Sequence, residues 1–501
     1  MAEKATAPQK SKGLWESPFT SSLAKRDRVT PPEVIFGYFL GPFGGLLASG
    51  IFTSQLQNYF TDVLRLDLSF LTALQLVSTV LIVIANLMVG QLIERTHCLA
   101  GKARPWILLS ALTLAVSTVL MFFVPFEGMA RMVWIAIAFN LYYSVAYPIY
   151  NTANSTLVAV STRDTEKRGT MASFTNIAGF GVMGAGTMVF PILVSFFLKE
   201  DQNLWLLAMS AIALFTLITV YLQFRFTRER ITEEVSASQA EGEQKEAPSL
   251  ARQLSSVAHE PMWWVIIVAY LLYQFSGAFK NGSMVYFCKW VLDNSYFGTA
   301  EAWGASQSLL SIMGALPMAA AILFVIPLCN KFGKQRVCIV GMIVGVIGGI
   351  IAGLGGSSIV PVAAGVAIKC LGSAPLGYMI LAMLADVIDH IEYKNHIRTD
   401  GLTMSIYSCI AVAATPICNA VFSGILAGVG YDQAADVALG VAAQTAAAQT
   451  AIASCYIWVE TVAFAICGVL LLFFTVEKNL PAEQAALKER NEGAAPEAER
   501  A

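Results

Sequence analysis

Twelve separate stretches of this chain stay apolar for about 20 residues or more, the length needed to cross a bilayer. They lie at roughly 36–60, 69–93, 105–125, 131–158, 171–197, 204–225, 262–292, 303–329, 337–356, 359–388, 401–429 and 452–475. In lipid, a backbone that long can satisfy its own N–H and C=O groups only as a helix or a closed barrel, and runs of this length select the helix. The expected fold is an all-α membrane protein of twelve transmembrane helices, with the lipid bilayer as its solvent. Composition agrees: 56% of residues are hydrophobic and 13% charged, against about 25% charged in soluble domains. The formal net charge of −2 implies no nucleic-acid partner. Nine cysteines stand singly, without a CxxC, and four histidines are scattered. They point to no metal site and no cofactor.

The connections "ERTHCLAGKAR", "STRDTEKR", "NKFGKQR" and "EYKNHIR" are basic, while the opposite ones, such as "KEDQN", are short or less so. By the positive-inside rule both termini are expected in the cytoplasm. The first thirty residues lack the apolar core of a signal peptide. A polar stretch, "FTRERITEEVSASQAEGEQKEAPSLARQLSS", separates segments 6 and 7. The expected division is a tail (1–35), a six-helix bundle (36–227), a linker (228–260), a second six-helix bundle (261–476) and a tail (477–501). A tight basic turn follows the second segment of each half, a weak internal repeat. Two such bundles around a cavity are the architecture of alternating access.

Charge inside the membrane is costly, about 2.5–3.5 kcal/mol per residue on insertion scales. Three such residues stand out: Lys369 in "AGVAIKCLGSAPLGYMI", Lys280 beside Asn281, and Glu460 in segment 12. Each is expected to face a cavity or a partner; a lysine can also snorkel, or pair with Glu460. In "SVAYPIYNTANSTL", Tyr147, Tyr150, Asn151 and Asn154 share one helical face. That face suits a ring-bearing ligand, or hydrogen bonding between packed helices. Gln55 is a further candidate lining residue, with Gln57 and Gln75 beside it in rank. The glycines of "GFGVMGAGT" and "GMIVGVIGGIIAGLGG" read as packing surfaces.

Five stretches carry a resemblance: "NYFTDVLRL", "GKARPWILL", "STRDTEKRGTMASF", "NGSMVYFCKWVLDN" and "MLADVIDHIEYKNHIRTDGL". Together, over about residues 36–475, the chain resembles the glycoside–pentoside–hexuronide:cation symporters, the melibiose-permease-like branch of the major facilitator superfamily. The resemblance implies a sodium site at positions held here by Ile82, Asn86 and Asn151. It implies a sugar-site aspartate and arginine where Leu46 and Asn176 stand, and a lysine at Val412. Amides and apolar groups cannot hold a cation by charge, so sodium coupling at that site is not expected. The resemblance also implies a cytoplasmic latch between Arg163, Lys167 and Arg168 in one half and Asp386, Asp389, Glu392, Lys394 and Arg398 in the other. A solvated, topology-setting loop is the alternative.

In the resembled fold, segments 4, 7 and 10 border the cavity and segment 12 is peripheral. Lys280 and Lys369 then face an N-terminal half without its acids, which favours an anionic ligand. The function expected is secondary active import of a small organic solute: an acidic sugar, glycoside, sulfonate or organic acid. A co-transported proton is a candidate partner, and a monomer is expected. A neutral glycoside carrier or facilitator is the alternative, and a non-transporting membrane sensor a more distant one. No nucleotide loop or nucleophile–base pair points to an enzyme. The expected substrate residues are Lys280, Asn281, Lys369, Tyr147, Tyr150, Asn151, Asn154, Asn176, Asn86 and Gln55.

Overall fold

A computed structural model describes residues 21–25, 28–96, 98, 100–162, 164–230, 257–395 and 400–493. Among these residues, twelve helices are long and apolar enough to cross a membrane. They are α1 (Glu33–Val63), α2 (Leu68–Ile93), α3 (Arg104–Phe122), α4 (Gly128–Val158), α5 (Thr170–Leu198) and α6 (Gln202–Phe226), then α7 (Pro261–Trp290), α8 (Ala300–Phe332), α9 (Lys334–Leu354), α10 (Ile359–Asn395), α11 (Leu402–Gly428) and α12 (Ala446–Leu472). Large apolar side chains such as Phe197, Leu323 and Leu354 stand exposed, as expected of surfaces that lipid covers. A thirteenth helix, α13 (Val476–Gly493), follows. It occupies most of the expected C-terminal tail and buries Leu480 and Glu483, so this stretch packs on the bundle.

Several helices carry local π-helical turns, including Tyr59–Val63 in α1, Leu141–Ala146 in α4 and Ser454–Trp458 in α12. Such bulges shift the faces of the residues beyond them and often mark functional sites.

The chain divides into two compact units whose border cuts across the two halves. The first comprises Met1–Gly50, Leu81–Ala185 and Gln202–Glu243. In it, the Glu229 carboxylate accepts the backbone N–H groups of Lys102, Ala103 and Arg104, each at 2.8 Å, at the start of α3. Those groups have no helical partner of their own, and the helix dipole favours an acid there. Gly101, at φ +104°, makes the turn, and a Cβ on it would overlap that carboxylate. Arg230 forms a buried pair with Glu33 at 2.8 Å.

The second unit comprises Ile51–Val80, Gly186–Asp201 and Gln244–Ala501. The same device recurs within it: Glu477 accepts N–H from Lys334 and Gln335 at 2.7 and 2.9 Å, after Gly333 at φ +90°. The internal repeat is thus structural as well as sequential. The unit also contains the ends of α1, α2 and α5, packed with α7, α8 and α11. The halves expected from sequence therefore do not coincide with the compact units, because those three helix ends bond to C-terminal partners.

The glycines of α9 hold the second unit together. A Cβ at Gly348 would overlap the backbone of Lys369 in α10, and one at Gly349 would overlap Thr461 in α12. Gly365 and Gly372 of α10 return the contact against Ala352 and Gly345. Close packing is what this run of glycines is for. In α5 the expectation is only partly met, since Gly179 has nothing within 4 Å of its Cβ position.

Candidate transport site

The α9 seam determines the chemistry around it. By admitting α10 on one side and α12 on the other, it brings Lys369 and Glu460 together, 2.6 Å apart. Lys280 of α7 reaches the second oxygen of the same carboxylate at 3.1 Å. The Lys369 side chain is fully buried and Glu460 nearly so, whereas Lys280 keeps 20% of its side-chain surface. The Tyr456 ring, in the π-helical turn before Glu460, lies 5.7 Å from the Lys369 ammonium. The Cys370 sulfur lies 3.9 Å from Lys280. Two ammonium groups therefore share one carboxylate in a buried site, leaving one positive charge in surplus.

This corrects the expectation that both lysines contact a ligand. Lys369 is enclosed, and its charge is answered by Glu460; only Lys280 retains open surface. Nor is α12 peripheral here, since it packs on α7 and α9 and supplies the acid. Asn281, next to Lys280, is partly buried.

The aromatic–amide face of α4 is used differently from the ligand-lining expectation. The single Tyr150 O–H proton has two acceptors within reach, the Gln223 amide oxygen at 2.7 Å and the Gly41 carbonyl at 3.0 Å. Gln223 in turn donates to Asn154 at 2.8 Å. Tyr150 and Asn154 are thus satisfied between α1, α4 and α6, the packing alternative. Tyr147 and Asn151 are only partly buried, and Asn176 is exposed. Asn86 donates to the Ile82 carbonyl of its own helix at 2.8 Å. Gln55 is fully buried and donates to Gln307 of α8 at 3.0 Å, so it too bonds helix to helix. Gln75 donates to Gln57, and Gln57 to Ser423 of α11, both at 2.7 Å.

The sequence reading missed a second buried ion pair. Asp62, in the π-helical end of α1, lies 2.5 Å from Lys289 at the end of α7, and each side chain is 5% exposed. Asn58 accepts from Lys289 at 2.6 Å. The Tyr431 hydroxyl donates to Asp62 at 3.1 Å, and Thr61 and Tyr286 share a hydrogen bond of 2.7 Å. Near this network α5 and α8 also meet: Ser311 donates to the Thr187 carbonyl at 3.0 Å, and Ser308 to that of Met188. The signal was available. "YFTD" stands one residue before the end of α1 and "YFCK" one residue before the end of α7.

The acids of the expected latch have partners in their own half. Asp386 lies 2.5 Å from Lys334, Gln484 donates to Asp389 at 2.9 Å, and Lys394 pairs with Glu260 at 2.7 Å. Glu392 is partly buried and Lys167 exposed. Arg163 and Arg398 lie outside the described residues, as does the side chain of Arg168.

Twelve spanning helices with charges buried between them are the frame of a membrane transporter. The chain belongs to the family described as MFS/sugar transport protein, which matches residues 37–478. Its relatives include the isoprimeverose transporter of Lactiplantibacillus pentosus, 26% identical with 91% of each chain covered. A putative sulfoquinovose importer of Salmonella typhimurium is 22% identical over 78% of each chain. The fold is shared with the nucleoside transporter NupG (TM-score 0.61, 12% identity), the match covering 89% of this chain and all of that one. The protein is a secondary transporter of sugar-like solutes in the major facilitator superfamily, and not an enzyme.

Proposed function

We propose that the protein imports a small acidic sugar-like solute across the bacterial inner membrane by alternating access, working as a monomer with both termini in the cytoplasm. The observation that carries this reading is the surplus positive charge of the Lys280–Glu460–Lys369 cluster, with Lys280 as its partly exposed member. A buried charge in a membrane bundle is retained where a partner or cargo uses it. Lys280 would leave Glu460 for the acid group of the solute, while Lys369 keeps Glu460 in place. Relatives described as isoprimeverose and sulfoquinovose carriers support a cargo of sugar size. A proton is the coupling ion that fits, because Ile82, Asn86 and Asn151 offer a sodium ion no carboxylate. When the other end opens, Asp386 would exchange Lys334 for the basic turn after α4, closing the cytoplasmic side.

Thermal-shift titration of the purified protein with glucuronate and with glucose tests the reading. Lys280→Gln is expected to weaken the acidic ligand at least tenfold more than the neutral one. A truncated partner of a buried charge pair loses about 2–5 kcal/mol. The 3.1 Å bond between Lys280 and Glu460 favours one rival, a neutral sugar carrier whose lysines are structural. In that case both ligands weaken equally.

A further inference from the structure

The four residues before the final one of the matching helices, Tyr59-Phe60-Thr61-Asp62 in α1 and Tyr286-Phe287-Cys288-Lys289 in α7, occupy equivalent places in the repeat. Elements related by a two-fold axis meet like surface to like surface. An identical charge at both places would face its own copy and repel. This chain instead carries an acid at one and a base at the other, and they are bonded. We propose that Asp62 and Lys289 are the gate that holds the entrance beside the ends of α1 and α7 shut, and that their bond breaks in each transport cycle. The proposal holds whatever the solute is.

Three observations support it. The pair is buried and fully engaged: Asp62 also accepts from Tyr431, and Lys289 also donates to Asn58. A buried ion pair suits a reversible closure. Its attraction is offset by lost hydration, so net stability is small, and both charges regain water when the ends part. Apolar burial carries no such offset, so opening an apolar plug would cost its full burial energy. Second, water has a route to the pair. A cavity of about 320 Å³ lies against it, lined by Asn58, Asp62, Lys289, Trp303, Lys199 and Glu301 among others. Third, the surrounding ion pairs cannot do the same work. Arg65–Glu200 and Lys199–Glu301 have side chains 45–57% exposed, so water already reaches these charges and their pairing seals nothing.

The test is labelling from the periplasmic side. Asn281→Cys lies eight residues from Lys289 along α7, about 12 Å at 1.5 Å per residue. A membrane-impermeant maleimide is added to right-side-out vesicles, and mass spectrometry separates modification at 281 from that at native cysteines. Asp62→Asn and Lys289→Gln are each expected to speed labelling at least tenfold. Tyr431→Phe, which removes the bond donated to Asp62 and the one accepted from the Trp290 indole without uncovering a charge, should speed it about threefold. It decides the matter if the charge variants fail to fold. The swap Asp62→Lys with Lys289→Asp is expected to restore slow labelling. Wild-type rates in both Asp62→Asn and Tyr431→Phe overturn the proposal, as does a swap variant that labels as fast as the single changes.

Discussion

The Lys369 ammonium lies 2.6 Å from the Glu460 carboxylate, on two helices that both pack against the glycines of α9. Removing the acid leaves two ammonium groups in a site built for one surplus charge. Breaking a buried pair from one side costs about 3–5 kcal/mol. Glu460→Gln should therefore lower the midpoint of thermal unfolding in detergent markedly. Glu460→Gln combined with Lys369→Met restores the original surplus of one charge. The double variant should unfold at a higher temperature than Glu460→Gln alone, the non-additivity expected of coupled neighbours.

The glycine seam makes a separate prediction. Gly348→Ala puts a methyl group into the backbone of Lys369, and overpacking of this kind costs about 1–3 kcal/mol. Gly179→Ala, with nothing within 4 Å of the added carbon, should be neutral or stabilising, since alanine favours a helix by about 1 kcal/mol over glycine. Thermal unfolding of the two variants side by side checks the contrast.

Uptake should not depend on sodium. The position where the resembled family places a sodium-binding acid holds Asn86, whose amide is bonded to the Ile82 carbonyl. Replacing sodium by choline at constant pH and constant pH gradient should leave the initial rate within about twofold, since an amide offers no charge for a cation. A many-fold loss would return sodium to the mechanism.

Near the end of α10, Asp386→Asn with Asp389→Asn removes the acid that Lys334 holds at 2.5 Å and the acceptor of Gln484. If these acids also close the inner side in the other conformation, a cysteine on the inner cavity wall should label several-fold faster in the double variant. Unchanged labelling in folded protein would leave them as a local brace for α10 and α13.

The span count was legible because hydropathy over 20 residues is a local property, and each of the twelve stretches carries it alone. Lys280, Lys369 and Glu460 were legible as oddities for the same reason: a charge in an apolar run stands out. Their joining was not, because it depends on the distance between three helices, set by glycines that look alike in sequence whether they face a backbone, as Gly348 does, or empty space, as Gly179 does. Asp62 and Lys289 escaped because they sit at helix ends, where a charge is unremarkable; only laying "YFTD" beside "YFCK" shows them as counterparts. Tyr150 and Asn154 misled because an aromatic–amide face serves a ligand and a neighbouring helix equally well. The buried amide Gln223, on another helix, decides between them.

The glutamates that seal the turns at Gly101 and Gly333 carry a consequence for how the protein is made. The amides at the start of α3 wait for Glu229, which leaves the ribosome only after the sixth helix, and those at the start of α9 wait for Glu477, made after the twelfth. Until then each turn presents unsatisfied donors at the membrane surface, where water or another acid can occupy them. The residue that satisfies them is one of the last of its half to be synthesised. Each six-helix half thus carries its own mark of completion, and a chain truncated within α6 or α12 would lack it.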